Sequence, residues 1–173
     1  MGNVKYKPIT FKAKITDGKV KFSGIDKIDV NNDDAGDYHL ITFMLDDHTN
    51  LDLRFRPITS VLKDSPFWIQ PLALGCPSDP AGAAMPGVVE PILVSPSGKE
   101  LTVINYNAKI EEMYFALRLV ENASPAKSHD YDPIMNNQNG GGAGMDWAAA
   151  ATIAAVALSA GAVLYVGLGG GGR

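Results

Sequence analysis

The chain has 173 residues, 46% hydrophobic and 20% charged, which is enough for one domain with a real core and too short for two ordinary ones. Its 15 Lys and Arg against 19 Asp and Glu give a formal net charge of -4, so no overall basic footprint exists for wrapping nucleic acid, which is not an expected partner. The one cysteine, Cys76, excludes an intrachain disulfide framework and a thiolate metal cluster.

Residues 1–120 mix charges with short apolar runs and frequent Gly and Pro, a pattern that predicts an all-β unit. The opening residues alternate charge with isolated apolar side chains and develop no apolar h-region, so standard secretory export is not expected. Thr10 to Ile15 alternates as a half-buried strand, and Asp17-Gly18 supplies turn chemistry before Lys19 to Phe22, giving a first hairpin. Tyr38 to Leu45 and Leu51 to Arg56 flank the polar DDHTN segment and read as a second hairpin. Leu51, Leu53 and Phe55 share one face of its second strand, and Asp52, Arg54 and Arg56 share the other.

Phe67 to Gln70 and Val88 to Ser95 are bracketed by Pro66, Pro71, Pro91 and Pro96, which favour edges, bends and breaks. Leu72 to Gly87 lacks steady periodicity and reads as a long loop, either a partner-recognition segment or a crossover between sheets. Ser95 to Glu100 forms a turn into LTVIN. Met113 to Val120 is the last strong strand, with Met113, Phe115, Leu117 and Leu119 inward. Seven to nine short strands without a long amphipathic helix before residue 145 predict a mainly β fold: a compact β-sandwich, with a small barrel as the alternative.

Residues 121–146 show little periodicity and read as a flexible Gly/Asn/Pro-rich linker. Trp147 through Leu168 is a run of 22 uncharged positions, nine of them Ala. At about 1.5 Å per residue it matches a hydrocarbon core of roughly 30 Å, so residues 147–168 are expected to form a single transmembrane helix ahead of a Gly-rich tail at 169–173. The competing reading is an Ala-rich helix packed inside a soluble assembly. Ala157 and Gly161 form a small-xxx-small pair suited to close helix packing, and Trp147 and Tyr165 stand near opposite ends, where amphipathic rings meet the interface. A β domain on the cytoplasmic side is the simpler topology, although Arg173 beyond the helix, against Asp130, Asp132 and Asp146 before it, points weakly the other way.

Chemical signals are sparse. Asp29, Asn31 and Asp33, with Asp37, have the alternate spacing of oxygen ligands for Ca²⁺, but Asp34 and Leu40 stand where an EF-hand loop needs Gly and Glu. A solvated Asx-rich turn is the plainer reading, and no cofactor is expected. His39, His48 and His129 form neither HxH nor HExxH, and Cys76 with Met85 is not a metal motif. No nucleophile signature, dinucleotide fingerprint or P-loop is present, so no catalytic, cofactor-binding or metal residue is assigned. Asn122-Ala123-Ser124 fits a glycosylation acceptor only if that segment enters a glycosylating lumen. Tyr106, Tyr114, Arg54 and Arg56 are candidate contact residues, with core packing an equal explanation for the tyrosines. This organisation leads to the expectation of a noncatalytic accessory or scaffold subunit of a membrane protein complex. Its helix would pack against integral-membrane subunits and its β domain against an extramembrane protein surface. The alternative is a membrane-tethered module recognising a small ligand or carbohydrate through loops near Asp29 to Asp37 and Leu72 to Gly87.

Overall fold

A computed structural model describes residues 4–31, 38–59, 64–74, 88–106 and 111–138. These residues form two mixed β-sheets that are not closed into a barrel. The sandwich expectation therefore holds at the level of a mainly β, two-sheet fold, and the barrel alternative does not. Eleven strands are present among the described residues, more than the seven to nine expected: β1 (Val4–Thr16), β2 (Lys19–Ser23), β3 (Lys27–Asn31), β4 (Tyr38–His48), β5 (Leu53–Phe55), β6 (Phe67–Pro71), β7 (Val89–Val94), β8 (Glu100–Asn105), β9 (Glu111–Glu121), β10 (Ser124–Tyr131) and β11 (Ile134–Gln138).

The first sheet runs β2-β1-β4-β8-β7. β1 begins well before Thr10 because it pairs in parallel with β4 along Val4↔Tyr38 to Lys14↔His48. The expected first hairpin is present, with Thr16 opposite Lys19. Its turn residues Asp17 and Gly18 both have positive φ, 52° and 71°, the backbone of a two-residue turn whose twist matches that of its strands. β7 is an edge strand with a register shift between Pro91 and Leu93, as Pro91 requires.

In the second sheet β9 is the spine. β5 and β6 lie end to end along one side of it, and β10 and β11 along the other. β11 then pairs in parallel with β3. Met113, Phe115, Leu117 and Leu119 are fully buried on the inner face of β9, as their alternation predicts. Phe43, Phe67 and Phe115 form an aromatic cluster between the sheets, with Phe43 and Phe115 centroids 5.4 Å apart.

Three sequence expectations are corrected. The second hairpin does not form: β4 lies in the first sheet and β5 pairs with β9 in the second, so residues 49–52 cross between sheets. Phe67 to Gln70 is a buried strand that pairs only with β9 among the described strands, the edge position its flanking prolines favour. Residues 121–138 of the expected linker are built into the second sheet, and Met113 to Val120 is not the last strand. The largely polar sequences of β10 and β11 become strands because β9 offers its free backbone edge and, for β11, β3 offers a second one, so ladder bonds organise them and Tyr131 and Met135 carry their packing on the core. Of the expected Leu72–Gly87 loop, Leu72–Leu74 is a 3-10 turn. The rest of that loop, residues 139–146 of the expected linker, the expected membrane helix at 147–168 and the tail at 169–173 lie outside the described residues.

Tyr131 at the end of β10 fastens the crossing from β2 to β3. Its ring stacks on Phe22 with centroids 5.3 Å apart and packs on Phe11. Its hydroxyl accepts from Ile25 N at 2.9 Å and donates to Ile25 O. Burial, followed by the charge of Asp26, raises the phenol pKa, so the hydroxyl keeps the proton it donates. Removing the oxygen would leave two largely buried backbone groups without this partner. Tyr131→Phe is therefore expected to cost about 1–3 kcal/mol, read as a lower urea midpoint with an unchanged slope. An unchanged midpoint would remove this bond from the account.

Candidate functional site

The most heavily bonded polar cluster among the described residues lies at the crossing from β4 to β5. Asp47 is the acceptor from which it is built. Its Oδ1 accepts from Thr49 N at 2.9 Å and Thr49 Oγ1 at 2.6 Å, and its Oδ2 accepts from Leu53 N at 2.7 Å. Leu51 N donates to Thr49 Oγ1 at 3.1 Å. Asn50 and Asp52 take positive φ values of 62° and 49°, a backbone that Asn and Asp tolerate better than most residues. The run DDHTNLD thus makes a corner because its short polar side chains capture the backbone groups that a hairpin would have used.

Lys99 enters the same corner from the turn between β7 and β8. Its Nζ lies 3.2 Å from Asp47 Oδ2, 3.0 Å from Asp52 Oδ1 and 2.5 Å from Leu53 O. The turn's backbone ties both sheets together, with Leu45 N donating to Lys99 O at 2.9 Å and Phe55 N to Gly98 O at 2.8 Å. Gly98 has φ of 71°, and a Cβ there would lie 2.8 Å from Arg54 Cβ, so the close approach of turn and strand needs glycine.

Burial pushes the Asp47 carboxyl upward, but bonds from the Thr49 side chain and backbone, Leu53 N–H and Lys99 outweigh it, leaving the pKa below its ordinary 3.8. Asp52 is held at about 2, by Arg54 first and then Lys99. The three donors of an ammonium group are matched here by three acceptors, and Asp47 is already saturated. This arrangement clamps the fold and offers neither a free nucleophile nor a free base.

Two recesses flank the clamp. One is an apolar groove of about 500 Å³ between Phe55, Pro57 and Ile58 on one side and Ile92, Val94 and Pro96 on the other. The second, about 450 Å³, is polar and lined by Asp46, Asp47, Asn50, Asp52 and Lys99. Farther along the first sheet, register places Lys5, His39, Asn105 and Val89 in one row across four strands. His39 and Asn105 are buried, and Asn105 Nδ2 lies 3.2 Å from Met135 Sδ in the opposite sheet. This polar row was not read from the sequence, where only strand register could have revealed it.

The structure does not bring the sequence-derived candidates together. Asp29 lies on β3, where its carboxylate accepts from Asn136 at 2.9 Å. Asn31 ends that strand, while Asp33 and Asp37 lie outside the described residues, as do Cys76 and Met85. His39 is buried on β4. His48 lies 3.0 Å from Asp46 at the far end of that strand, and His129 lies 3.2 Å from Glu121 on β10. No group of three metal-ligating residues forms among the described residues. Arg54 is drawn back to Asp52 at 2.7 Å and Arg56 faces Asp64 at 3.5 Å. Tyr106 packs edge-on against Tyr38 beside the first sheet, and burial, then Glu90 and Tyr38, push its phenol up to about 12. Tyr114 belongs to the other sheet, opposite Gln70. Asn122 sits in the exposed turn between β9 and β10.

Fold and clamp together define the class among the described residues, a mainly β fold of two mixed sheets keyed by a polar crossing. No known family model matches the chain, and no curated protein matches it.

Both clamp carboxyls are depressed below their ordinary 3.8 in the folded state, Asp52 to about 2, so their stabilisation is present above the ordinary value and is lost as pH falls below it through the folded values. The urea midpoint of the native chain is expected to drop across that window. Asp47→Asn should be less stable at neutral pH and show a shallower acid decline. Superimposable pH profiles for the two proteins would show that Asp47 carries no such linkage.

Proposed function

We propose that the chain is a noncatalytic accessory or scaffold subunit of a larger integral-membrane protein complex. The helix read from Trp147 to Leu168 packs among membrane subunits while the β domain, on the cytoplasmic side, bridges an extramembrane protein surface. The observation that carries this reading is the uncharged 22-residue run following a β domain. A bilayer or other proteins would satisfy a span so rich in Ala, whose small side chains gain little from lipid alone and much from close helix packing. Among the described residues no helix is long and apolar enough to cross a membrane, and the 147–168 run lies outside those residues. Once the helix is anchored, the tether raises the effective concentration of the β domain at its second site, so a modest surface contact becomes persistent.

A second reading, a membrane-tethered module for a small ligand or carbohydrate, draws on the apolar groove between β5 and β7. Saturable binding by the purified full chain without a protein partner would favour it.

The test is affinity purification of the full-length protein in mild detergent, compared with a double substitution of Ala157→Leu and Gly161→Leu. Defined membrane subunits are expected with the native chain and at least a severalfold loss with the variant. Equal recovery would refute the packed face, and a native chain that is soluble without detergent and free of membrane partners would refute the anchored reading.

A further inference from the structure

The net charge conceals a strongly segregated surface. Residues 1–25 hold six lysines and one acid, Asp17. In β1, Phe11 and Ala13 point inward and are fully buried, so Lys12 and Lys14 point outward. In β2, Val20 and Phe22 pack against the core and Lys19 and Lys21 are exposed. Register sets Lys14 directly opposite Lys21, and Lys19 opposite Thr16. Four lysines therefore occupy one outer face of a two-stranded edge. Two acids stand near them: Asp17 in the hairpin turn, and Asp46, 4.0 Å from Lys12 and 3.0 Å from His48.

From these positions we propose that the lysine face of the β1–β2 hairpin docks on an anionic lipid surface. Neighbouring strands lie about 4.8 Å apart and alternate residues about 7 Å apart, comparable to a Debye length of about 8 Å, so the four fields add. Like charges placed directly opposite on a ladder reduce its stability, so the Lys14–Lys21 pair works against the hairpin and gains its use from an external anion. All four cations are lysine. A compact ammonium on a flexible stem suits a diffuse sheet of headgroups, whereas bidentate recognition of a particular phosphate or carboxylate favours arginine. This contact goes beyond the anchored reading, because the lysines would meet the headgroups whether or not residues 147–168 span the bilayer.

The full chain is mixed with vesicles of phosphatidylcholine alone or of phosphatidylcholine with phosphatidylserine, and lysine acylation is read residue by residue by mass spectrometry. Lys127, 68% exposed on β10 of the other sheet, is the internal control. Severalfold protection of Lys12, Lys14, Lys19 and Lys21 on the anionic vesicles, with Lys127 labelled equally on both and protection abolished by high salt, is the expected result. Because each lysine near such a surface contributes roughly fivefold in affinity, Lys14→Gln with Lys21→Gln should lower the anionic-lipid-dependent protection of Lys12 and Lys19 by an order of magnitude or more while leaving the far-ultraviolet circular dichroism unchanged. Equal labelling on the two vesicles overturns the proposal, and so does protection by duplex DNA without protection by anionic vesicles. Insertion of residues 147–168 alone would protect none of these lysines selectively, so failure of this contact is distinguishable from failure of the anchor.

Discussion

A carboxylate that must accept several hydrogen bonds at once governs the shape of this molecule. Asp47 takes donors from Thr49 and Leu53 within its own corner and from Lys99, 52 residues away. The local bonds turn the chain out of the first sheet, and the distant one fixes the β7–β8 turn against β5. With that turn seated, Gly98 and Lys99 carbonyls meet Phe55 and Leu45 amides in opposite sheets. Apolar burial supplies most of the driving force for closing a sandwich, but burial is non-directional. The polar corner supplies the directional information that says which strand belongs to which sheet.

The same division of labour extends to the surface. Internally satisfied ions gather at the clamp, where Asp47, Asp52, Arg54 and Lys99 neutralise one another, while the lysines of the first hairpin stand apart with little local compensation. Mean composition treats these charges alike. Placement separates those that hold the sheets together from those left available to a partner.

Much of the fold was legible locally. The alternating face of β9, the turn at Asp17-Gly18, the turn from Ser95 to Glu100 and the edge character that Pro91 imposes on β7 all follow from nearest-neighbour chemistry. The second hairpin was misread because alternation in Leu51–Phe55 identifies a half-buried strand without identifying its ladder partner, and the residue that settles the matter, Lys99, is remote in sequence. β10 and β11 were illegible because Asn136 and its neighbours lack apolar periodicity and become strand through backbone pairing with β9 and β3. The row of Lys5 with buried His39 and Asn105 has no sequence signal, since it exists only through register across the first sheet. The lysine face was present in the sequence as KAK and KVK, but net charge averaged it away.

A double-mutant cycle between Asp47 and Lys99, using Asp47→Asn, Lys99→Met and the pair, measures the clamp most directly. Asp47 is nearly buried and Lys99 retains 30% side-chain exposure, so solvent screening trims the interaction, and a coupling of about 1–2 kcal/mol by urea denaturation is the expected result. Additive effects, with coupling below about 0.3 kcal/mol, would contradict the view that this contact keys the two sheets.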